Sequence, residues 1–136
     1  MSFEYINLLK QEFPLRMIDQ ILSCTVGQEI QGCKTIFPAD YLGFYSQTRL
    51  PLFILVETMG QLSEILIRAT FRKVSENGIL AAVNKLDVIN DTYKPGQTLL
   101  IHSRLDNVFR GLYQTKVTVR LQNTGIAQAI LVHTFR

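Results

Sequence analysis

A long apolar segment that begins at Pro51 constrains the fold of this chain more than any other feature of its sequence. Proline is favoured at the start of a helix because its missing N–H would have no partner there. Apolar residues then recur at helical spacing along one face, and further apolar residues broaden that face nearly all round. The set comprises Leu52, Phe53, Ile54, Leu55, Val56, Met59, Leu62, Ile65, Leu66 and Ile67. We therefore predict a central helix that other elements wrap on most of its sides.

After this helix the sequence is typical of consecutive strands. Residues 113–121 alternate between apolar and polar with a period of two, which predicts one buried and one solvated face. Short turn-forming sequences divide this region into segments of strand length. They stand at Asn77-Gly78, Pro95-Gly96, Arg110-Gly111 and Asn123-Thr124-Gly125. This pattern indicates hairpins in an antiparallel sheet.

The region before the helix predicts fewer regular elements. Residues 5–12 have apolar positions at helical spacing, so we interpret them as a short helix that Pro14 ends. Residues 24–37 are interpreted as one strand, with Gly27 and Gly32 as weak points or bulges, and residues 39–49 as an irregular loop. One strand, one helix and then hairpins predict an α+β fold with an antiparallel sheet.

Composition limits the classes of protein that this chain can represent. Its 136 residues fit one domain, residues 1–136, and 47% hydrophobic with 18% charged residues is typical of a globular protein. No signal peptide is evident, and the longest apolar stretch, residues 50–56, is far shorter than the roughly 20 residues of a membrane span. We therefore expect a soluble cytoplasmic protein that does not bind a membrane.

Charge and cysteine content argue against several binding functions. A formal net charge of +3 permits an acidic partner but lacks the dense clustering of Lys and Arg that a nucleic-acid-binding protein needs. Cys24 and Cys33 have no metal-type spacing, so we interpret them as free thiols. We expect no metal, no cofactor and no nucleic-acid partner.

Four short stretches stand in order along nearly the whole chain: residues 13–19 (FPLRMID), 51–61 (PLFILVETMGQ), 94–99 (KPGQTL) and 109–111 (FRG). They resemble the bacterial 3-hydroxyacyl-ACP dehydratases, whose corresponding stretches are YPFLLVD, PGVLIxEAMAQ, VPGDxL and RRG. The resemblance implies the hotdog fold, in which an antiparallel sheet wraps a long helix. It also implies a site shared between two subunits.

The family motif on the helix assigns residues to this site. Glu57 takes the position of the family's helix carboxylate, which assists at the substrate hydroxyl across the subunit interface, and Gln61 follows as in the family. The N-terminal amides of the helix, near Pro51, Leu52 and Phe53, suit the thioester oxygen because they lack partners within the helix. The resemblance thus implies Glu57 as the catalytic residue and the other four as substrate-binding residues.

The chain departs from the family in the loop before the helix. The family's His-Phe-Pro-Gly loop falls on residues 43–46 by gapless counting, and with a one-residue shift its His would fall on Phe44; neither register contains a histidine. Gly43, Phe44 and Tyr45 take the substrate-binding positions. His102 and His133 lie in later strands instead. A histidine inside a strand is more often an exposed or hydrogen-bonded side chain than a catalyst, and we interpret both in that way. We expect the aromatic side chains of this loop either to line a tunnel for the acyl chain or to close the hydrophobic core.

Periodicity alone offers a second interpretation of the helix residues. Glu57, Gln61, Glu64 and Arg68 form one polar stripe, which is typical of a solvated helix edge with an i,i+4 ion pair between Glu64 and Arg68. The family resemblance favours a functional site at Glu57 and Gln61 only.

Three functions follow from these alternatives. The leading hypothesis is a dehydratase-like protein that acts on an acyl thioester of acyl carrier protein or coenzyme A, in fatty-acid, polyene or polyketide-type biosynthesis. It would form a homodimer, or a heterodimer with a His-bearing hotdog protein that completes the site. A hotdog thioesterase in which Glu57 activates water or attacks the carbonyl is the second. A noncatalytic acyl-binding or structural subunit is the third.

Overall fold

One long helix packed on a six-stranded antiparallel sheet forms the described structure, which confirms the predicted α+β architecture. The computed structural model describes residues 5–9, 16–41, 50–73, 76–90 and 93–136. The helix, α1, spans Leu52–Phe71, and two short 3-10 helices span Tyr5–Leu8 and Pro38–Tyr41. The strands are β1 (Gln20–Thr25), β2 (Glu29–Thr35), β3 (Gly78–Val88), β4 (Thr98–Phe109), β5 (Leu112–Leu121) and β6 (Thr124–Phe135).

The order of the strands places β3 at one edge of the sheet. The order is β1-β2-β4-β5-β6-β3, and every neighbouring pair is antiparallel. Strands β4, β5 and β6 follow one another as hairpins, whereas β3 crosses over to pair with β6. The backbone of β3 therefore has one side without a strand partner within this sheet.

Helix α1 begins where the sequence predicts. Pro51 precedes it in an extended conformation with ψ of 135°, and Arg72 ends it in the left-handed region with φ of 56°. From Ile54 to Arg68 nearly all side chains are buried, whereas Leu52 and Phe53 are more than half exposed. The sheet therefore wraps the helix beyond its first turn, as predicted.

The alternation predicted for residues 113–121 is confirmed in β5, whose side chains Tyr113, Val117 and Val119 are buried. Thr115 lies on this face and belongs to a chain of hydrogen bonds with two serines beneath the helix. Its hydroxyl donates to Ser63 Oγ at 2.9 Å, and Ser63 Oγ lies 2.8 Å from Ser103 Oγ. We call these three fully buried residues the hydroxyl cluster.

The single strand predicted for residues 24–37 is wrong. The chain turns at residues 26–28, where Gly27 has φ of +84°, so β1 and β2 form a hairpin. A glycine at this positive φ avoids the steric penalty that a side chain would bring. Cys24 and Cys33 lie in different strands and are free thiols, as predicted.

Other boundaries also differ from the predictions. The turn expected at residues 123–125 lies at residues 122–123, where Gln122 adopts φ of 56°. A 3-10 helix replaces the first part of the helix predicted for residues 5–12, and another replaces the start of the loop predicted from residue 39. The loop residues Gly43, Phe44 and Tyr45 lie outside the described residues. In the described ranges, no helix is both long and apolar enough to cross a membrane.

Candidate functional site

The polar stripe of α1 faces β3 and β6 rather than solvent. Gln61 and Arg68 are 2% and 1% exposed, Glu64 is also buried, and Glu57 is half-buried. The interpretation as a solvated edge is therefore wrong, because periodicity identifies a polar face but not the strands that cover it. The predicted ion pair exists, with 2.9 Å between Arg68 Nε and Glu64 Oε2, but it is buried.

Gln61 fixes the position of Glu57. The main-chain N–H of Met17, just before β1, donates to Gln61 Oε1 at 2.7 Å. This bond assigns the amide oxygen, so Gln61 Nε2 faces Glu57 and donates to its Oε1 at 3.1 Å. The Glu57 carboxylate is thus held from its own helix and, through Gln61, from the segment that leads into the sheet.

A partly enclosed cavity of about 120 Å³ opens beside this pair. It lies between α1 and the edge of the sheet, and Glu57, Gly60, Gln61, Glu64, Gly78, Leu80 and His133 line it. We call it the acceptor cavity, because Glu57 and Glu64 offer it carboxylate oxygens. A Cβ atom on Gly78 would lie 2.6 Å from Glu64 Oε1, so β3 can approach the helix only with a glycine there.

His133 is buried in the wall of this cavity. It shares the inner face of β6 with Ala129 and Leu131 and is 1% exposed, and its Nδ1 has no hydrogen-bond partner among the residues that the structure describes. Burial lowers its pKa from 6.5 to about 4; a hydrogen bond with the Gly60 main chain opposes this, and the charge of Arg68 adds to it. The imidazole is therefore neutral near pH 7.

The contacts of His133 also define its tautomer. The hydrogen bond with the Gly60 main chain favours the protonated ring, so the Gly60 group must be an acceptor, its carbonyl oxygen. The ring nitrogen that lies close to Gly60 is Nε2. With Nε2–H donating, Nδ1 retains a free lone pair. The prediction of an exposed or fully hydrogen-bonded side chain is wrong for His133. Its place in an alternating strand with Ala129 and Leu131 was the signal for burial.

His102 differs from His133 in both position and pairing. It lies on the outer face of β4, and its Nε2 is 3.0 Å from Glu29 Oε1, so the prediction of a hydrogen-bonded side chain is confirmed. It borders a larger cavity of about 390 Å³ with Lys85, Arg104 and Lys116. The sheet separates that cavity from α1, so its cations do not reach Glu57.

The remaining predicted residues lie at the start of α1. Pro51, at the N-cap, is half-buried and makes no side-chain capping hydrogen bond within the described residues, and the first turn of α1 contains no acidic residue. Leu52 and Phe53 precede Glu57 by about 7 Å along the axis at 1.5 Å per residue. In the part of the chain that the structure describes, no group of three or more His, Cys, Asp or Glu side chains could hold a metal ion.

Comparisons with known proteins agree with this architecture, although no family model matches the chain. The 3-hydroxyacyl-[acyl-carrier-protein] dehydratase FabZ of Rickettsia canadensis is 22% identical over 129 residues, which cover 93% of this chain and 90% of that protein. A structure of the dehydratase heterocomplex ApeI:P from Xenorhabdus doucetiae has a TM-score of 0.81 at 14% identity and covers 100% of this chain and 93% of its own. A hypothetical thioesterase with coenzyme A from Streptococcus pneumoniae has a TM-score of 0.68 at 11% identity, with 86% and 84% covered. These structures establish the hotdog fold.

Proposed function

Since this chain is a 3-hydroxyacyl-ACP dehydratase-like hotdog protein, we propose that it dehydrates acyl thioesters of acyl carrier protein or coenzyme A with Glu57 as its catalytic acid. The observation that carries the proposal is the fixed Glu57 carboxylate, which Gln61 holds beside a cavity. A carboxyl group held in place on a helix is suited to proton transfer, because general acid catalysis requires a defined geometry.

The reaction places separate demands on the site. A base removes a proton from C2, the electron pair forms the C2=C3 double bond, and the C3 hydroxyl leaves as water with a proton from the acid. In the proposal, Glu57 supplies that proton. The amide end of α1, near Pro51, Leu52 and Phe53, stabilises the negative charge on the thioester oxygen. The loop residues Gly43, Phe44 and Tyr45 stay predictions as the lining of the acyl site.

The base is proposed to come from a partner. Glu57 lies near β3, an edge strand of eleven residues, so a second chain along this edge would lie close to the acceptor cavity. A His-bearing hotdog protein in this place would supply the base, whereas a second copy would form a dimer without supplying it. We expect a dimer at micromolar concentration in light scattering, and a monomer with Glu57 open to solvent would contradict this arrangement.

Glu57→Gln tests the proposed activity. We expect little dehydration by the chain alone, turnover when a His-bearing hotdog partner is added, and its loss by about 10²–10⁴-fold in Glu57→Gln, since the amide keeps the shape but cannot donate the proton. The assay follows formation of the conjugated double bond in an enoyl thioester. Glu29→Gln is the matched control, because Glu29 lies on the outer face of the sheet beside His102.

Two results would contradict the proposal. One is rapid dehydration by the chain alone, which would remove the need for a partner. The other is a mixed complex in which Glu57→Gln dehydrates as fast as Glu29→Gln.

A thioesterase is the second candidate function. The likeness to the pneumococcal thioesterase fold and a polar cavity with room for water beside Glu57 favour it. Release of free thiol from an acyl thioester, detected with a thiol reagent and lost in Glu57→Gln, would support hydrolysis. Acyl binding without either reaction, alone or with partners, would instead support a noncatalytic subunit.

A further inference from the structure

The larger cavity, of about 390 Å³, lies on the outer face of the sheet and is lined by side chains that donate hydrogen bonds. We call it the basic cavity, because Lys85, Arg104 and Lys116 line it and no acidic residue among those described does. The Thr118 hydroxyl and the Gln128 amide add neutral donors. Pockets for small molecules usually measure about 300–1,000 Å³, so the volume suits a small ligand.

Two of the cations stand directly opposite each other on neighbouring strands. Arg104 of β4 pairs with Lys116 of β5 in the antiparallel register, and both side chains are exposed. Like charges at opposite positions of a sheet repel and destabilise it. The fold therefore does not benefit from this pair, whereas an anion held between the two side chains would be attracted by both.

The nearby carboxylates leave this pair with a net positive charge. Glu29 stands opposite Arg104 on β2, but its carboxylate lies 3.0 Å from His102 Nε2 instead, and Arg104 forms no ion pair with a described residue. Asp106 Oδ1 lies 3.6 Å from Lys116 Nζ, and its charge also interacts with that of Arg104. One carboxylate is thus shared between two cations.

The third cation stands in a distorted part of β3. Lys85 lies in the bulge between Asn84 and Asp87, the positions that pair with β6, and its φ is 49°. This left-handed conformation is disfavoured for a residue with a side chain, and strained backbone of this kind concentrates at functional sites. Among the described residues Lys85 has no ion pair, with Asp87 or with any other carboxylate.

The three cations approach the basic cavity from two sides. Lys116 lies opposite Ile130 of β6. Ile130 in turn lies opposite Asn84, the residue before Lys85. Neighbouring strands are about 4.8 Å apart, so the backbones at Lys116 and Lys85 are separated by about 10 Å. Two linked phosphate groups bridge this gap better than a single one.

We propose that the basic cavity binds a small molecule through two linked phosphate groups, with Arg104 and Lys116 on one phosphate and Lys85 on the other. A guanidinium group donates two parallel hydrogen bonds to phosphate oxygens, and the lysines add positive charge. The sheet separates this site from Glu57, so the inference does not depend on the proposed function.

Three probes test the inference on the full chain. Calorimetry at 150 mM salt would measure the binding of pyrophosphate, ADP and adenosine. We expect pyrophosphate and ADP to bind and adenosine, which carries no phosphate, not to bind. Tighter binding of ADP would identify the nucleoside as part of the ligand, and equal binding would limit recognition to the phosphates. Both results support the proposal, whereas a wild-type chain that binds neither pyrophosphate nor ADP would overturn it.

Arg104→Gln should weaken the binding of pyrophosphate and ADP about 10-fold, because it removes the bidentate donor. Arg120→Gln is the matched control, since it removes the same charge from the same face of the sheet but does not line the basic cavity. Arg120 is four residues from Lys116 on β5, about 13 Å away, which exceeds the Debye length of about 8 Å at this salt concentration. We therefore expect the control to bind within about twofold of the wild type.

Thermal unfolding provides a second measurement on the same variants. Without ligand, Arg104→Gln should unfold at the wild-type temperature or above, because it relieves the repulsion with Lys116. Pyrophosphate should raise the unfolding temperature of the wild type and Arg120→Gln more than that of Arg104→Gln. Equal weakening of binding in both variants would show nonspecific attraction by net charge and would overturn the proposed site.

Discussion

Helix α1 buries two polar groups of side chains against the same sheet, and they differ in how completely they are paired. In the hydroxyl cluster, Ser63, Ser103 and Thr115 bond to one another. In the wall of the acceptor cavity, His133 has a buried Nδ1 with no hydrogen-bond partner among the described residues. A polar group that supports the fold gains most when every partner is internal. A buried nitrogen that is left unpaired instead lowers the free energy of unfolding.

The pH dependence of stability gives the largest expected difference between the two groups. The folded pKa of His133 is about 4 against 6.5 for the free side chain, so the unfolded chain takes up a proton as pH falls through 6.5 and the folded chain does not. Between pH 6.5 and 4 the wild type should therefore lose about 3 kcal/mol of its free energy of unfolding that His133→Leu does not lose. Urea unfolding at each pH measures this.

The control for this prediction is Ser23→Ala, at an exposed position of β1, which changes no titratable group and should therefore follow the wild-type pH dependence. Glu57, Glu64 and Arg68, which lie near His133, are unchanged in all three proteins. Parallel curves for wild type and His133→Leu would show that His133 is not a neutral buried imidazole, and the contrast with the hydroxyl cluster would then disappear.

The hydroxyl cluster should give a smaller effect that does not depend on pH. Ser63→Ala removes the group that Thr115 and Ser103 both contact and leaves two buried hydroxyls without that partner, so the free energy of unfolding should fall by about 2 kcal/mol. Binding of acyl thioesters should not change. Ser23→Ala, at an exposed position of β1, serves as the control, with an expected change within about 0.5 kcal/mol. A Ser63→Ala variant as stable as the control would mean that the cluster adds nothing.

The sequence predicts the fold well because local signals and burial agree there. Pro51 and the apolar run predict the start of α1, and Arg110-Gly111 forms the predicted hairpin turn with positive φ at both residues. The error at residues 24–37 has a local cause. Gly27 was interpreted as a weak point in a strand, but its positive φ reverses the chain.

The site is predicted less completely because its residues meet only in the tertiary structure. Glu57 and Gln61 are four apart on one helix, so the motif is sufficient to pair them. The polar stripe of α1 is buried partly because β3 packs against it, and β3 can lie this close to Glu64 only because Gly78 has no side chain. His133 is far along the chain from Glu57, and no local pattern indicates that its strand faces this part of the helix.

His133→Leu at pH 7.5 should have the smallest effect on stability, and it compares the two polar groups most directly. Leucine has a similar volume and brings no polar atom, so the variant removes an unpaired buried acceptor and loses one hydrogen bond to Gly60. The Gly60 carbonyl lies within α1 and keeps its acceptor role in the helix. Losing one hydrogen bond costs about 1 kcal/mol, and removing an unpaired buried acceptor recovers a similar amount, so we expect a free energy of unfolding within about 1 kcal/mol of the wild type. Urea unfolding beside Ser63→Ala measures both under one condition. A loss in His133→Leu larger than in Ser63→Ala would mean that the His133 side chain stabilises the fold more than the hydroxyl cluster does.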